Sequence, residues 1–417
     1  MEKNKPEIRF KGFEEEWESH QLNYYLVVSS DKNQSEEYNK YDIYSVSREY
    51  GVINQIAYQG KSFAGASLTN YGVVSTGDVV YTKSPLKSQP YGIIKTNEGQ
   101  AGIVSALYGV FHPSEKVNST FVQTYFELDS RLNDYLRPLV NKGAKNTLLI
   151  SDEDSLNGNV VFPKKDEQEK LVALFSTLDK LIRKLELKLE KLRNIKQSLL
   201  KQMFTNVNGG GGCAAPLIRF KNYNGDWQMT KLGDMTERVV RKNSNLESSL
   251  PLTVSAQNGL IDQGEFFNSR IASKDVSGYY LIRKGEFAYN KSSSEGYPYG
   301  AIKRLDKYEK GVLSTLYIVF ALNNSMVDSD YIVAFYDTNY WHEEIVKRAA
   351  EGARNHGLLN ISAEDFFDTS ITLPIDKNEQ YEVGHYFILL DKIITDNRDK
   401  LSKIRTMKQS LLQKMFA

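Results

Sequence analysis

A chain of 417 residues, 41% hydrophobic and 25% charged, is long enough for two or three domains with ample cores, and this composition excludes a mainly disordered protein. The formal charge is +1, so any binding to nucleic acid has to rest on local patches or partner subunits rather than on bulk charge. Cys213 is the one cysteine, which excludes an intramolecular disulfide and a cysteine-cluster zinc site; with no run of 18 apolar residues and no signal peptide, the expectation is a cytoplasmic protein that does not touch a membrane.

The chain opens with Pro6-Glu-Ile-Arg-Phe-Lys-Gly-Phe-Glu-Glu-Glu-Trp17, and the same phrase returns as Pro216-Leu-Ile-Arg-Phe-Lys-Asn-Tyr-Asn-Gly-Asp-Trp227. Each is expected to be a leading segment that docks Phe10 or Phe220 and Trp17 or Trp227 into a core. Weaker matches then follow in order. Ser45-Val-Ser-Arg-Glu-Tyr-Gly-Val-Ile-Asn-Gln55 parallels Thr253-Val-Ser-Ala-Gln-Asn-Gly-Leu-Ile-Asp-Gln263, and Pro90-Tyr-Gly-Ile-Ile-Lys95 parallels Pro298-Tyr-Gly-Ala-Ile-Lys303. Apolar and polar residues alternate between Gly, Asn and Pro, which predicts a meander of short strands. Helices are predicted at 120–137 and 329–348. Ser151 and Ser362, each with an acid three positions on, read as helix caps. Phe162-Pro163 with Glu167-Gln168, and Leu373-Pro374 with Glu379-Gln380, mark where the next element begins.

That element is a long helix written twice. One copy closes as Lys196-Gln-Ser-Leu-Leu-Lys-Gln-Met-Phe204, the other as Lys408-Gln-Ser-Leu-Leu-Gln-Lys-Met-Phe416, displaced by 212 residues. In the first, Leu171, Phe175, Leu178, Ile182, Leu185, Leu189, Leu192, Lys196, Leu199 and Met203 alternate in steps of four and three. In the second the line is Val383, Phe387, Leu390, Ile394, Asn397, Leu401, Ile404, Lys408, Leu411 and Met415. A sustained alternation of this kind is the seam of a coiled coil, and a lone polar residue such as Asn397 commonly fixes register. Gly384 is a weak point in the second copy. At 38 residues such a rod is roughly 57 Å long and not stable alone, so each copy is the obvious partner of the other.

The chain thus divides into residues 1–163, a long helix at 164–205, a Gly-rich linker at 206–215, residues 216–374 and a second long helix at 375–417. The fold class is α+β, a tandem of two strand-rich domains, each followed by its rod.

Motifs for bond chemistry are missing. The glycine run at 209–212 is followed by Cys-Ala-Ala and is not a phosphate loop, and neither a dinucleotide fingerprint nor an Asn/Asp-Pro-Pro-aromatic methyltransferase motif occurs. The five histidines are scattered; His342-Glu343-Glu344 is expected to be a solvated helix face. No enzymatic role, metal site or cofactor of its own is expected. Two basic, hydroxyl-rich loops do stand out at matching places, 81–91 and 289–299. Lys83, Ser84 and Lys87, with Lys291, Ser292 and Ser293, carry the groups that contact phosphates and base edges. Gly143-Ala-Lys-Asn-Thr147 and Gly352-Ala-Arg-Asn-His356 add Lys145, Asn146, Arg354 and Asn355. The competing reading is ordinary polar turns.

Taken together, the Ile-Arg-Phe…Trp leader, Gly143-Ala-Lys, Phe162-Pro163, Glu167-Gln168 and the Lys196–Phe204 ending, each with its second copy, resemble the specificity (S) subunit of type I restriction–modification systems over essentially the whole chain. The resemblance implies two target-recognition domains, each reading one half of a split, asymmetric sequence in double-stranded DNA. It implies that the rods pack antiparallel with pseudo-two-fold symmetry, set the spacing between half-sites, and dock two methyltransferase (M) subunits and, through them, restriction (R) subunits. S-adenosylmethionine, ATP and Mg2+ would then belong to those partners. The alternative is a non-catalytic scaffold whose coiled coil presents two ligand-binding domains.

Overall fold

The computed structural model describes residues 4–63, 65, 67–86, 88–142, 148–205, 215–267, 272–294, 296–349 and 359–416. The chain forms two compact units, Met1–Glu186 with Asp399–Ala417, and Leu187–Arg398. Both long helices, Lys165–Met203 and Lys377–Lys414, are therefore shared, each giving one part to each unit.

In the first unit a four-stranded antiparallel sheet has the order Leu26–Val28, Tyr108–Pro113, Val79–Thr82, Ile93–Thr96. Every residue of Val79–Thr82 is buried, as expected of a β-branched and aromatic strand covered on both faces. Smaller ladders pair Tyr44–Ser47 with Gly51–Asn54 and Gly72–Val74 with Gly102–Val104. The strand Glu18–Gln21 pairs with Asn159–Phe162, so the leader is held against the segment that feeds the first rod.

The second unit repeats this plan. Its sheet runs Thr236–Arg238, Ile318–Leu322, Phe287–Asn290, Ala301–Arg304; Leu252–Ser255 pairs with Gly259–Asp262, Tyr280–Arg283 with Lys310–Leu313, and Gln228–Lys231 with Ser370–Leu373. The repeated Pro-Tyr-Gly turns out to lie in the return from a central strand to the edge strand of each sheet. Tyr81 donates its hydroxyl proton to the Tyr91 carbonyl at 2.7 Å, and Tyr289 to Tyr299 at 2.9 Å. The following Gly92 and Gly300 have φ of +95° and +79°, and a side chain on either would strike the backbone of Thr82 or Asn290. Gly300→Ala is expected to lower stability by about 2–4 kcal/mol in urea unfolding, because strain and clash add.

Each predicted helix at 120–137 and 329–348 is in fact two: Ser119–Tyr125 and Asp129–Leu136, then Ser329–Tyr336 and His342–Arg348. The break falls where Phe126 and Trp341 turn into the core, both at most 5% exposed. Hydrophobic burial there outweighs helical continuity.

The short motifs have structural roles. Ile8 donates its backbone N–H to the Lys414 carbonyl and Ile218 to Gln202, both at 2.9 Å, which satisfies an end carbonyl of a rod helix within each unit. Arg9 forks onto Glu167 at 2.8 and 2.7 Å, and Arg219 onto Glu379 at 2.6 and 2.8 Å. Gln168 accepts from Asn118 N at 2.8 Å and donates to the Pro163 carbonyl at 2.8 Å; Gln380 does the same with Asp328 N and Pro374. Asn118 and Asp328 in turn cap the next helices with their side chains. Ser362 caps Ala363–Phe367 by accepting from Asp365 N at 3.0 Å.

Within each unit the two rod segments run antiparallel. Phe175 meets Phe416 and Asp179 meets Lys408 in the first; Lys196 meets Asp391 and Phe204 meets Phe387 in the second. Phe175, Leu178, Leu185, Leu189, Phe387, Leu390, Leu401 and Ile404 are buried; Ile182, Leu192, Ile394 and Asn397 are half-buried. Asn397 donates to the carbonyl of Ile393 on its own helix at 2.7 Å. Toward the carboxyl ends burial passes from Leu199 and Leu411, which are half-buried, to Leu200 and Leu412, because there the helices sink into the domain cores. Gly384 marks a close approach: a Cβ there would meet the backbone of Asp330 and Tyr331. The linker residues 206–214, with Cys213, lie outside the described residues.

Candidate nucleic-acid interface

Of the ten loop residues singled out, Lys87, Lys145, Asn146, Arg354 and Asn355 lie outside the described residues. The others occupy equivalent places in the two units. Lys83 pairs with Asp152 at 2.8 Å, and Lys291 donates to the carbonyl of Ile361 at 3.2 Å. Each lysine thus fastens its loop to the segment leading into the last strand of the domain. Ser84 and Ser292 are half-buried, Ser292 donating its backbone N–H to Asn290 Oδ1 at 3.0 Å, and Ser293 is exposed. Asp152 is the anion facing Lys83, while Ser151 accepts from Asp154 N at 2.9 Å.

Other groups suited to nucleic acid were not picked out from the sequence. Around the hairpin Tyr44–Ser47/Gly51–Asn54 and the helix Gln55–Gln59, the rings of Tyr41, Tyr50, Tyr58 and Phe63 are exposed. Tyr50 and Tyr58 lie 5.4 Å apart, Lys40 sits 5.1 Å over Tyr41, and Lys61 sits 4.9 Å over Phe63. In the second unit the matching helix Gln263–Phe267 exposes Phe266 and Phe267, whose rings are 4.7 Å apart, and Lys307 lies 5.1 Å over the half-buried Tyr308. Exposed rings beside ammonium groups can stack on bases while neutralising phosphates. The hairpin repeat was legible in the sequence; the exposure of the rings beyond it was not.

Where each domain meets its rod, charges are buried. Lys196, on the seam, donates to Asp337 at 2.7 Å and to Asp391 at 2.6 and 2.8 Å; Asp337 also takes Lys303 at 2.8 Å. Burial opposes the Lys196 charge, but the two carboxylates outweigh it and raise its pKa; burial likewise opposes the Asp337 charge, yet Lys303 and Lys196 hold its pKa below the usual carboxylate range. In the first unit Lys408 meets Glu127, and Asp179 at 2.6 Å. Lys95, in the place of Lys303, is desolvated and its pKa is lowered, Glu127 opposing that shift. A cleft of about 360 Å³ opens here, lined in part by Arg48, Gln89, Asp129 and Arg405. Arg48 is committed to Asp129 through two bonds of 2.8 and 2.7 Å.

His342-Glu343-Glu344 is not a solvated face. Glu344 is 6% exposed, binds Lys347 and Arg348 and accepts from Ser370 N at 3.1 Å, while His342 packs against Tyr299 at 4.8 Å, with its pKa lowered by burial. The helix lies on the domain core, so Glu344 and Ile345 face inward while Glu343 is exposed. Among the described residues no group of three His, Cys, Asp or Glu side chains could hold a metal ion, and no helix is long and apolar enough to cross a membrane.

No protein-family model and no curated protein matches this sequence. Solved structures do. The crystal structure of the type I restriction–modification S subunit from M. genitalium is similar over 99% of this chain and 99% of that one, at 11% identity and a TM-score of 0.62. The HsdS subunit from Thermoanaerobacter tengcongensis is similar over 96% of both chains, at 13% identity and a TM-score of 0.42. A chain from a type I R-M system, in a structure concerned with complex assembly and conformational transition, is similar over 96% of this chain and 97% of that one, at 13% identity and a TM-score of 0.46.

Proposed function

We propose that this chain, which has the fold of a type I restriction–modification S subunit, is the sequence-recognition subunit of such a system. Each strand-rich domain reads one half of a two-part, asymmetric DNA target. The rods, each running from one unit into the other, set the spacing between the halves, as protein geometry does for dimeric DNA binders. They also dock two methyltransferase subunits, and restriction subunits join through these. The chain itself breaks no bond; S-adenosylmethionine, ATP and Mg2+ serve the partners, where the adenine is flipped out for methylation.

One contrast supports this reading. The clamps that mount each domain on its rods are the same in both halves, down to Arg9–Glu167 and Arg219–Glu379, whereas the exposed hairpin surfaces carry different aromatic residues. Two mounts of one design with two unlike reading faces suit two unlike half-sites. The near-neutral charge fits as well, since partner subunits would supply much of the phosphate neutralisation.

Co-expression with the methyltransferase encoded beside it, followed by genome-wide mapping of modified adenines, tests the reading. A two-part motif with a fixed gap is expected; no co-purifying methyltransferase and no new motif would instead favour the scaffold. Within that assay Lys83→Ala, Lys291→Ala and Arg354→Ala are each expected to lower methylation at the target by about tenfold. If all three leave methylation unchanged, these loops do not touch DNA.

A further inference from the structure

We propose that Lys196 and Lys408 are positioning residues: each pins, within its own unit, the register of the two rod helices and the seating of the domain upon them. The proposal rests on the reading of the chain as a two-half DNA reader and goes beyond it.

A lysine on a coiled-coil seam is costly, and an apolar residue of similar size is commonly as stabilising or more so. Yet the chain writes it twice, with its acceptors in register. Lys196 meets Asp391 on the facing helix and Asp337 from the domain; Lys408 meets Asp179 on the facing helix and Glu127 from the domain. Glu127 and Asp337 both sit in the turns that split the helices expected at 120–137 and 329–348, so each break also delivers a carboxylate to the junction. The Lys196 and Lys408 side chains are 12% and 9% exposed, and little water is at hand to replace a lost acceptor.

Selectivity follows from the number of elements that must coincide. Seam positions filled by Leu, Ile and Phe are largely interchangeable, and an antiparallel pair can slip by half a heptad and still bury apolar surface. That slip moves a helix by about 5 Å, which corresponds to one or two base-pair steps of about 3.4 Å. After it, each lysine would face no acceptor on the opposite helix and would leave its domain carboxylate, Asp337 then keeping Lys303. The pins therefore make the slipped registers unfavourable and hold the gap between half-sites to one length.

The test uses the full chain with its methyltransferase and a library of sites carrying both half-sites at varied gaps. In Lys196→Met and Lys408→Met the half-sites are expected to stay as in the wild type, while the thermal midpoint falls because the facing carboxylates lose their cation. Methylation of sites whose gap differs by one or two base pairs should rise by about tenfold relative to the preferred gap. Lys196→Arg and Lys408→Arg should restore the single gap. Folded Met variants that keep the wild-type gap preference overturn the proposal. Should a Met variant fail to assemble, Asp391→Asn and Asp179→Asn are read in the same way, and an unchanged gap again overturns it. A wild-type complex with no two-part motif would overturn the underlying reading, and is told apart because it needs no variant.

Discussion

A chain carrying Glu379→Ala is expected to lose about 3–5 kcal/mol in urea unfolding followed by tryptophan fluorescence, the scale of a buried ion pair broken from one side. Glu379 is 1% exposed and accepts two bonds from Arg219 and one from Trp227 Nε1 at 3.3 Å. Its removal leaves the Arg219 guanidinium, which also donates to the Gly225 and Asn224 carbonyls, without its carboxylate, so the loss reflects desolvated charge as much as a missing contact. Trp227 packs 6.4 Å from Phe204 and 6.0 Å from Tyr331, which places a fluorophore beside the break. The double variant Arg219→Met/Glu379→Leu should recover most of the loss, because apolar residues can fill the space without desolvating charge. A loss below about 1 kcal/mol for Glu379→Ala would mean that the fork is no more than a surface pair.

Phe416→Ala should cost the first unit a similar amount, about 3–5 kcal/mol. Phe416 lies beyond the last turn of its rod helix, where fraying would be the ordinary expectation. Instead its ring is 4% exposed, with centroids 6.2 Å from Trp17, 5.7 Å from Phe121, 5.9 Å from Tyr125 and 5.6 Å from Phe175. The Arg131 guanidinium lies 5.0 Å from the ring, and the same side chain donates to the Leu412 carbonyl at 3.1 Å. Leader, domain helix and both rod segments of that unit thus meet on one ring. Thermal unfolding with and without the substitution decides the matter; a midpoint unchanged within about 2 °C would show that the end is frayed.

Short-range physics made much of this legible from residues alone. Period-3.5 apolar spacing found both rods, and alternation between Gly and Pro punctuation found the strand meanders. The doubled order of leader, Phe162-Pro163, Glu167-Gln168 and rod ending pointed to the right fold. Such features depend on residues near one another in sequence, where spacing and backbone preference suffice. Tertiary structure decided what those residues touch. Ile8 closing a rod end at Lys414, Arg9 forking onto Glu167, and Lys408 reaching Glu127 and Asp179 join positions 158 to more than 400 apart in sequence for some pairs, and no periodicity encodes such a meeting. The same holds for the breaks at Phe126 and Trp341, where core burial overrides helix propensity, and for Gly384, which looks like a flaw in a helix until the Asp330 and Tyr331 backbone is set against it. The loop lysines show the division within single residues. Their charge and matching positions are in the sequence, but that Lys83 turns to Asp152 and Lys291 to Ile361 follows only from the folded domain, because a lysine's preferred partner is whichever acceptor packing brings within reach.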